Sequence, residues 1–178
     1  MIQVMPLHIE NSPSHSGSCV LTLGTLDGTT HIPIVIGQHE ARALLIAESD
    51  TRTQRPLTHN LMKTIMDTYG IHLEFVSLDR VVEGLFYATL HLSDGFNSRE
   101  IDSRATDAIT LAILFEVPIY THPTILDECG IAAPAPKSDE PTLESLTDEL
   151  HRCEATEDYE RAAEIQAQID LLKNQQRP

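Results

Sequence analysis

Tryptophan is absent from the 178 residues, and phenylalanine and tyrosine together make up only 4%. The chain therefore has no obvious aromatic platform on which unpaired bases or sugars would stack. Positive charge is also scarce, with 12 Lys and Arg against 27 Asp and Glu and a formal net charge of −15. A protein that grips duplexes by neutralising phosphates needs a basic face, so any phosphate site here must be local. Cys19, Cys129 and Cys153 are odd in number, far apart and in no C-x-x-C arrangement. They imply neither a disulfide framework nor a zinc knuckle, and fit a reducing compartment, read as the cytoplasm. No apolar run approaches the length of a membrane span, and Met1 to Pro6 lacks the basic start and apolar core of a secretion signal. What is present is an ordinary apolar fraction of 41%, enough for one packed domain and a small appendage.

Along the chain, Ile2–Ile9 reads as a strand that Pro6 marks as an edge or a bulge. Cys19–Leu23 and His31–Ile36 are strand candidates joined through the turn pair Asp27-Gly28. Gly37 ends the second, and Glu40–Glu48 reads as a helix burying Ala41, Leu44, Leu45 and Ala47. Ile71–Leu78, with a phase shift near Phe75, and Leu85–Leu92, apolar enough to be buried on both faces, are further strands. Asp94-Gly95 turns the chain into another, Phe96–Ile101. Val117–Tyr120 is a short strand, and Pro123 opens a helical turn. Hairpins outnumber β-α-β units, so the expected class is α+β: a mixed, largely antiparallel sheet with packed helices. This domain spans 1–130, and a Pro-rich stretch, 131–141, reads as a linker. Over 142–174, Leu143, Leu146, Leu150 and Cys153, then Ala162, Ile165, Ile169 and Leu172, step by three and four. The reading is an antiparallel helical hairpin with one apolar stripe on each helix. It has too little core to stand alone and suits docking, on itself or on a partner.

Two stretches hold the chemistry. In Ile101–Ile113, Ser103 is placed to cap a helix that buries Ala105, Ala108, Ile109, Ala112 and Ile113. Asp102, Arg104 and Asp107 cluster at its mouth, where the macrodipole favours a carboxylate. In Arg55–Asn60, Thr58 is a good N-cap, and Leu61, Met62, Ile65, Met66 and Tyr69 form the apolar face of a helix ended by Gly70. His59 then falls in the first turn, with Arg55 just outside. Capping and a phosphate seat are both open readings of such a helix start. The two stretches are expected to meet.

Ile34-Val-Ile-Gly37 with Glu40-Ala41, then Arg55-Pro-Leu-Thr-His59, Ile101-Asp-Ser-Arg-Ala-Thr-Asp-Ala108 and Val117-Pro-Ile119 together resemble the bifunctional nuclease domain family in order and spacing. Asn60 stands where that family usually has an acidic residue, and Ala105-Thr106 where it has proline and serine. The segment Leu143–Leu146 through Tyr159-Glu-Arg-Ala-Ala-Glu164 to Ile169 resembles the UVR motif, a protein-binding hairpin known from the UvrB and UvrC repair proteins, with Gln166 and Ala167 replacing an Arg-Asp pair.

The first resemblance implies cleavage of DNA and RNA phosphodiesters. Asp102 and Asp107, with Glu40, would hold Mg²⁺ or Mn²⁺, and no organic cofactor is expected. Arg55, Arg104, Thr58, His59 and Thr106 would bind phosphate oxygens, and His59 would also move a proton. Two other readings compete. The same charges can form an ion network that locks two helix starts together. Alternatively, the chain is a non-catalytic adaptor that recruits a partner through its hairpin and binds a nucleotide or protein through the same pocket. Exposed sheet edges and the appended hairpin also suggest a homo-oligomer.

Overall fold

The computed structural model describes residues 1–12, 17–49, 54–133 and residue 166. The chain divides into two compact units, Met1–Ala133 and Pro134–Pro178. The expected hairpin at 142–174 falls outside the described residues, Gln166 apart.

The first unit opens with an antiparallel meander of β1 (Ile2–Asn11), β2 (Ser18–Thr25) and β3 (Thr30–Gly37). Gly28 takes the left-handed conformation that this hairpin turn requires, φ 69°. Asp27 holds the turn by accepting hydrogen bonds from the hydroxyls of Thr25 and Thr29. Pro6 sits at a bulge, yet β1 is an interior strand, paired with β2 on one side and β7 (Ile119–Thr121) on the other. The bulge absorbs the donor that Pro6 lacks.

Two helices follow, α1 (Gln38–Glu48) and α2 (Thr58–Thr68), and then β4 (His72–Val82), β5 (Leu85–Ser93) and β6 (Ser98–Arg104). The central helix α3 (Ala105–Phe115), β7, α4 (Pro123–Cys129) and β8 (Ile131–Ala132) complete the unit. β8 takes the first two residues of the stretch read as linker. The eight strands form one sheet in the order β6-β5-β4-β7-β1-β2-β3-β8. Each neighbouring pair is antiparallel except β4 with β7. The architecture is therefore α+β with a mixed, mainly antiparallel sheet.

The core sits around α3, where Ala105, Ala108, Ile109, Thr110, Leu111 and Ala112 are all buried. A helix apolar round most of its circumference belongs in the interior. It packs on β4, β5 and β6 along one side and on α1 and α2 along others. Small residues at 105, 108 and 112 let these neighbours come close.

Three local expectations fail for clear reasons. Ser103 does not cap α3, because β6 runs on through Arg104, which is itself the N-cap residue. Cross-strand pairing with Tyr87 to Thr89 extends the strand, and the Ser103 hydroxyl donates instead to the Arg104 carbonyl at 3.1 Å. Thr58 is likewise the first helical residue of α2, with Leu57 as N-cap and no side-chain cap. Of the apolar α2 face only Met66 is buried, leaving Leu61, Met62, Ile65 and Tyr69 exposed.

β5 is buried on one face alone, through Ala88, Leu90 and Leu92. Its other face is polar, and it explains a buried hydroxyl in β4. Ser77, 2% exposed, and Thr89 both donate to Asp79 at 2.6 Å, while His91 Nε2 lies 2.9 Å from the Ser77 oxygen. The register of β4 shifts around Asp79, so these bonds pin a bulge that could otherwise slip. Among the described residues, no helix is long and apolar enough to cross a membrane.

If α3 is the core's centre, Ile109→Ala should lower the unfolding free energy by about 2–5 kcal/mol. Val35→Ala, on a side chain 65% exposed, should stay within about 0.5 kcal/mol. Urea denaturation of both variants tests the contrast, and equal losses would contradict it.

Candidate functional site

Three helix starts converge at the C-terminal end of β6. Arg104, the last residue of that strand, turns its guanidinium across the first turn of α3. Its Nε–H donates to Asp107 Oδ2 at 2.8 Å and an Nη2–H to Asp107 Oδ1 at 3.1 Å. This two-pronged pairing is the geometry that planar guanidinium and carboxylate favour. From α2, His59 places Nε2 3.1 Å from the same Asp107 Oδ1. From α1, Glu40 Oε1 lies 3.3 Å from Arg104 Nη1. Arg55–Asn60 and Ile101–Ile113 therefore meet, through Asp107, and α1 joins them through Glu40.

Each position has a local cause. Asp107 occupies the third residue of α3, where unpaired backbone N–H groups and the macrodipole favour negative charge. Gly37 precedes α1, and a Cβ there would run into the Glu40 carboxylate. The missing side chain gives Glu40 room to fold back toward the helix start, where its other oxygen reaches Arg104. Sequence reading saw Gly37 as a strand stop and as part of the family-like motif, without this steric reason.

The cluster lies between solvent and core. The His59 side chain is 16% exposed and Asp107 29%, while Arg104 is 67% exposed. Partial burial raises the Asp107 carboxyl, but hydrogen bonds from Arg104 and His59 outweigh it and hold the group below its usual 3.8. Pairing with Asp107 in turn raises the Arg104 guanidinium. With Nε2 donating to a carboxylate, a neutral His59 ring carries its proton there and keeps its lone pair on Nδ1. Arg104 commits three of its five N–H groups to these bonds and retains two.

These residues line an open cleft of about 730 Å³, within the size range of small-molecule and cofactor sites. Thr58, Thr106 and Asp102 also line it, without joining the cluster's hydrogen bonds. Arg55 is exposed just ahead of α2 and is not among the lining residues. Much of the wall is apolar, including Ile46, Leu57, Met62, Leu90 and Ile101. A second hollow of about 420 Å³ shares Glu40, Asp102, Arg104 and Thr106, and continues between β3 and the β4–β5 turn.

Sequence reading saw Arg42 only as one of the few bases in its segment and missed the wall it belongs to. His39, Arg42, Ala43 and Ile46 line the cleft together, at the i, i+3, i+4, i+7 spacing of one helix face. That spacing is present in the sequence, but spacing alone does not say which face of a helix will line a cleft.

The expected divalent cation fits this donor set poorly. Asp107 gives both oxygens to Arg104, and Glu40 gives one. Asp102 lines the same cleft and makes no hydrogen bond to the cluster. Among the described residues, no three His, Cys, Asp or Glu side chains gather to hold a metal ion. A hard cation takes oxygen ligands at short range, so binding here would first have to pull the carboxylates off Arg104.

The depressed Asp107 carboxyl makes a signed prediction. A lowered folded-state pKa contributes stability that is complete above the usual 3.8 and is lost as pH falls through the folded value. Asp107→Asn should thus be less stable than the parent chain by a constant margin at neutral pH. That margin should narrow as the pH drops below 3.8, which urea midpoints would show. A margin that widens in acid would contradict the pairing.

Comparison with known proteins now bears on this geometry. The chain is 28% identical over 151 residues to an uncharacterized protein of Mycobacterium tuberculosis (strain ATCC 25618 / H37Rv), spanning 85% of this chain and 88% of that one. It is 26% identical over 139 residues to bifunctional nuclease 1 of Arabidopsis thaliana, which covers 71% of this chain and 43% of the plant protein. Bifunctional nuclease 1 of Oryza sativa subsp. indica is 25% identical over 169 residues, 93% of this chain and 49% of its own length. The chain thus spans less than half of these plant relatives. The family pattern of the bifunctional nuclease domain matches residues 21–134, a stretch that holds the cluster and all the cleft-lining residues, and the chain belongs to that family.

Proposed function

We propose that the cleft where α1, α2 and α3 converge binds a nucleic-acid strand and cleaves its phosphodiester bonds. The observation that carries this reading is the His59–Asp107–Arg104 arrangement in an open cleft. A histidine oriented by a carboxylate is a positioned proton acceptor, and Asp107 stabilises the imidazolium that results. The two N–H groups left on Arg104 face no partner in the cluster and suit phosphate oxygens. Thr58 and Thr106 add hydroxyl donors at the two helix starts, and Arg55 stands at the approach. Membership of the bifunctional nuclease domain family supports the substrate class.

One observation favours a second reading, a docking role. Leu57, Leu61, Ile65 and Tyr69 repeat every fourth residue along α2 and are 37%, 51%, 48% and 76% exposed. Such a stripe is a surface that a protein, or a second copy of the chain, would cover. The two readings are compatible, because the stripe is exposed along α2 and only its first residue, Leu57, also lines the cleft.

Cleavage of single- and double-stranded DNA and RNA by the purified full chain is the deciding assay. His59→Ala and Asp107→Asn should each lower the rate by about 10²–10⁴-fold, with the fold retained by circular dichroism. Rates unchanged in both variants would remove the cleft from the chemistry.

A further inference from the structure

We propose that the second hollow is a nucleobase subsite, in which Tyr87, backed by Arg80, stacks a base next to the phosphate that Arg104 binds. The inference rests on the phosphodiester reading above and extends it by one nucleotide. Three observations carry it: where the two hollows meet, where the aromatic rings lie, and the register of β4, β5 and β6.

The hollow of about 420 Å³ shares Glu40, Asp102, Arg104 and Thr106 with the larger cleft. A strand passing from one to the other therefore crosses Arg104. The residues that the hollow does not share are all uncharged. In a chain of net charge −15, these walls add nothing to the repulsion of a strand.

No Phe, Tyr or Trp lines the larger cleft, whereas Phe86 and Tyr87 line the hollow. Phe86 packs against the core, so Tyr87, next along β5, turns the other way. The Arg80 guanidinium lies over the Tyr87 ring, 4.4 Å from its centroid, which steadies the ring and places a cation behind it. A base laid on the opposite face of Tyr87 completes the stack. Stacking needs only a π-face, which every base has.

The register places this ring beside the phosphate donor. Arg80 pairs with Tyr87 across β4 and β5, and Tyr87 pairs with Arg104 across β5 and β6. Side chains directly opposite one another stand roughly 5 Å apart at their Cβ atoms, a step that one nucleotide unit spans. The two N–H groups that Arg104 keeps take the phosphate, and Tyr87 takes the base beside it. Nothing in the stack uses the 2′ position of the sugar, so DNA and RNA strands both fit.

Fluorescence anisotropy of end-labelled single strands with a cleavage-resistant phosphorothioate backbone, titrated with the full chain, tests the subsite. Each strand, DNA or RNA, is compared with a counterpart of the same backbone that lacks its bases. Tyr87→Leu should weaken binding of the complete strands about tenfold or more and leave the base-free strands unchanged. Tyr87→Phe keeps the ring and should bind as the parent chain does. Arg80→Ala, at an exposed position, should weaken the complete strands alone, by about threefold. That variant decides the matter if Tyr87→Leu does not fold. Complete strands held as tightly by the variants as by the parent chain, or base-free strands weakened as much as complete ones, would overturn the subsite. A parent chain that binds no strand would instead remove the phosphodiester reading, and the subsite with it.

Discussion

The pairing of Arg104 with Asp107 and Glu40 is the interaction on which the rest of this site depends. Glu40 and Asp107 start different helices, and His59 starts a third; without a cation between them the two carboxylates would repel one another. One guanidinium ends β6 and serves both carboxylates, so the strand, α1 and α3 are fixed to a common point. His59 then adds α2 through the oxygen that Arg104 already shares. Arg104 is too exposed for this to be a large source of stability, since solvent weakens such pairs. Its contribution is geometric: it sets where three helix starts lie and which nitrogen of His59 remains free.

That geometry bears on how an acidic chain would take the polyanionic substrate proposed for it. At a net charge of −15 the molecule gains nothing from long-range attraction to nucleic acid. Arg104 engages Asp107 and Glu40, which lowers the cost of these two carboxylates to an approaching phosphate. Apolar residues from β5, β6, α1 and α2 complete the walls, so the cleft offers shape and few, well-placed donors in place of a basic face. Such a site suits one strand segment entering a groove better than a duplex laid along a surface.

Much of this was legible in the residues. Alternation and turn pairs marked most strands, because β1 to β5 carry their apolar residues at strand spacing between Gly and Asp-Gly punctuation. The meeting of Arg55–Asn60 with Ile101–Ile113 was legible too, from two helix starts that each held uncommitted polar groups. What failed did so where tertiary pairing overrode a local signal. Ser103 has the chemistry of a cap, but β5 pairs with β6 as far as Arg104 and leaves the hydroxyl no first turn to cap. Leu61, Ile65 and Tyr69 have the spacing of a buried face, yet the sequence cannot say which of two apolar faces a helix will turn inward, and Met66 takes the core. His39 went unnoticed because its significance lies in which wall α1 presents, a property of packing and not of spacing.

The central claim is that substrate contacts centre on this convergence. Imidazole nitrogen resonances of the full chain, followed while a phosphorothioate-backbone single strand that resists cleavage is added, test it most directly. The account predicts that His59 and His39 shift together with strand concentration, while His91, held in the Ser77–Asp79 network on the far face of β5, stays in place. A strand that binds and leaves His59 and His39 unmoved would contradict it.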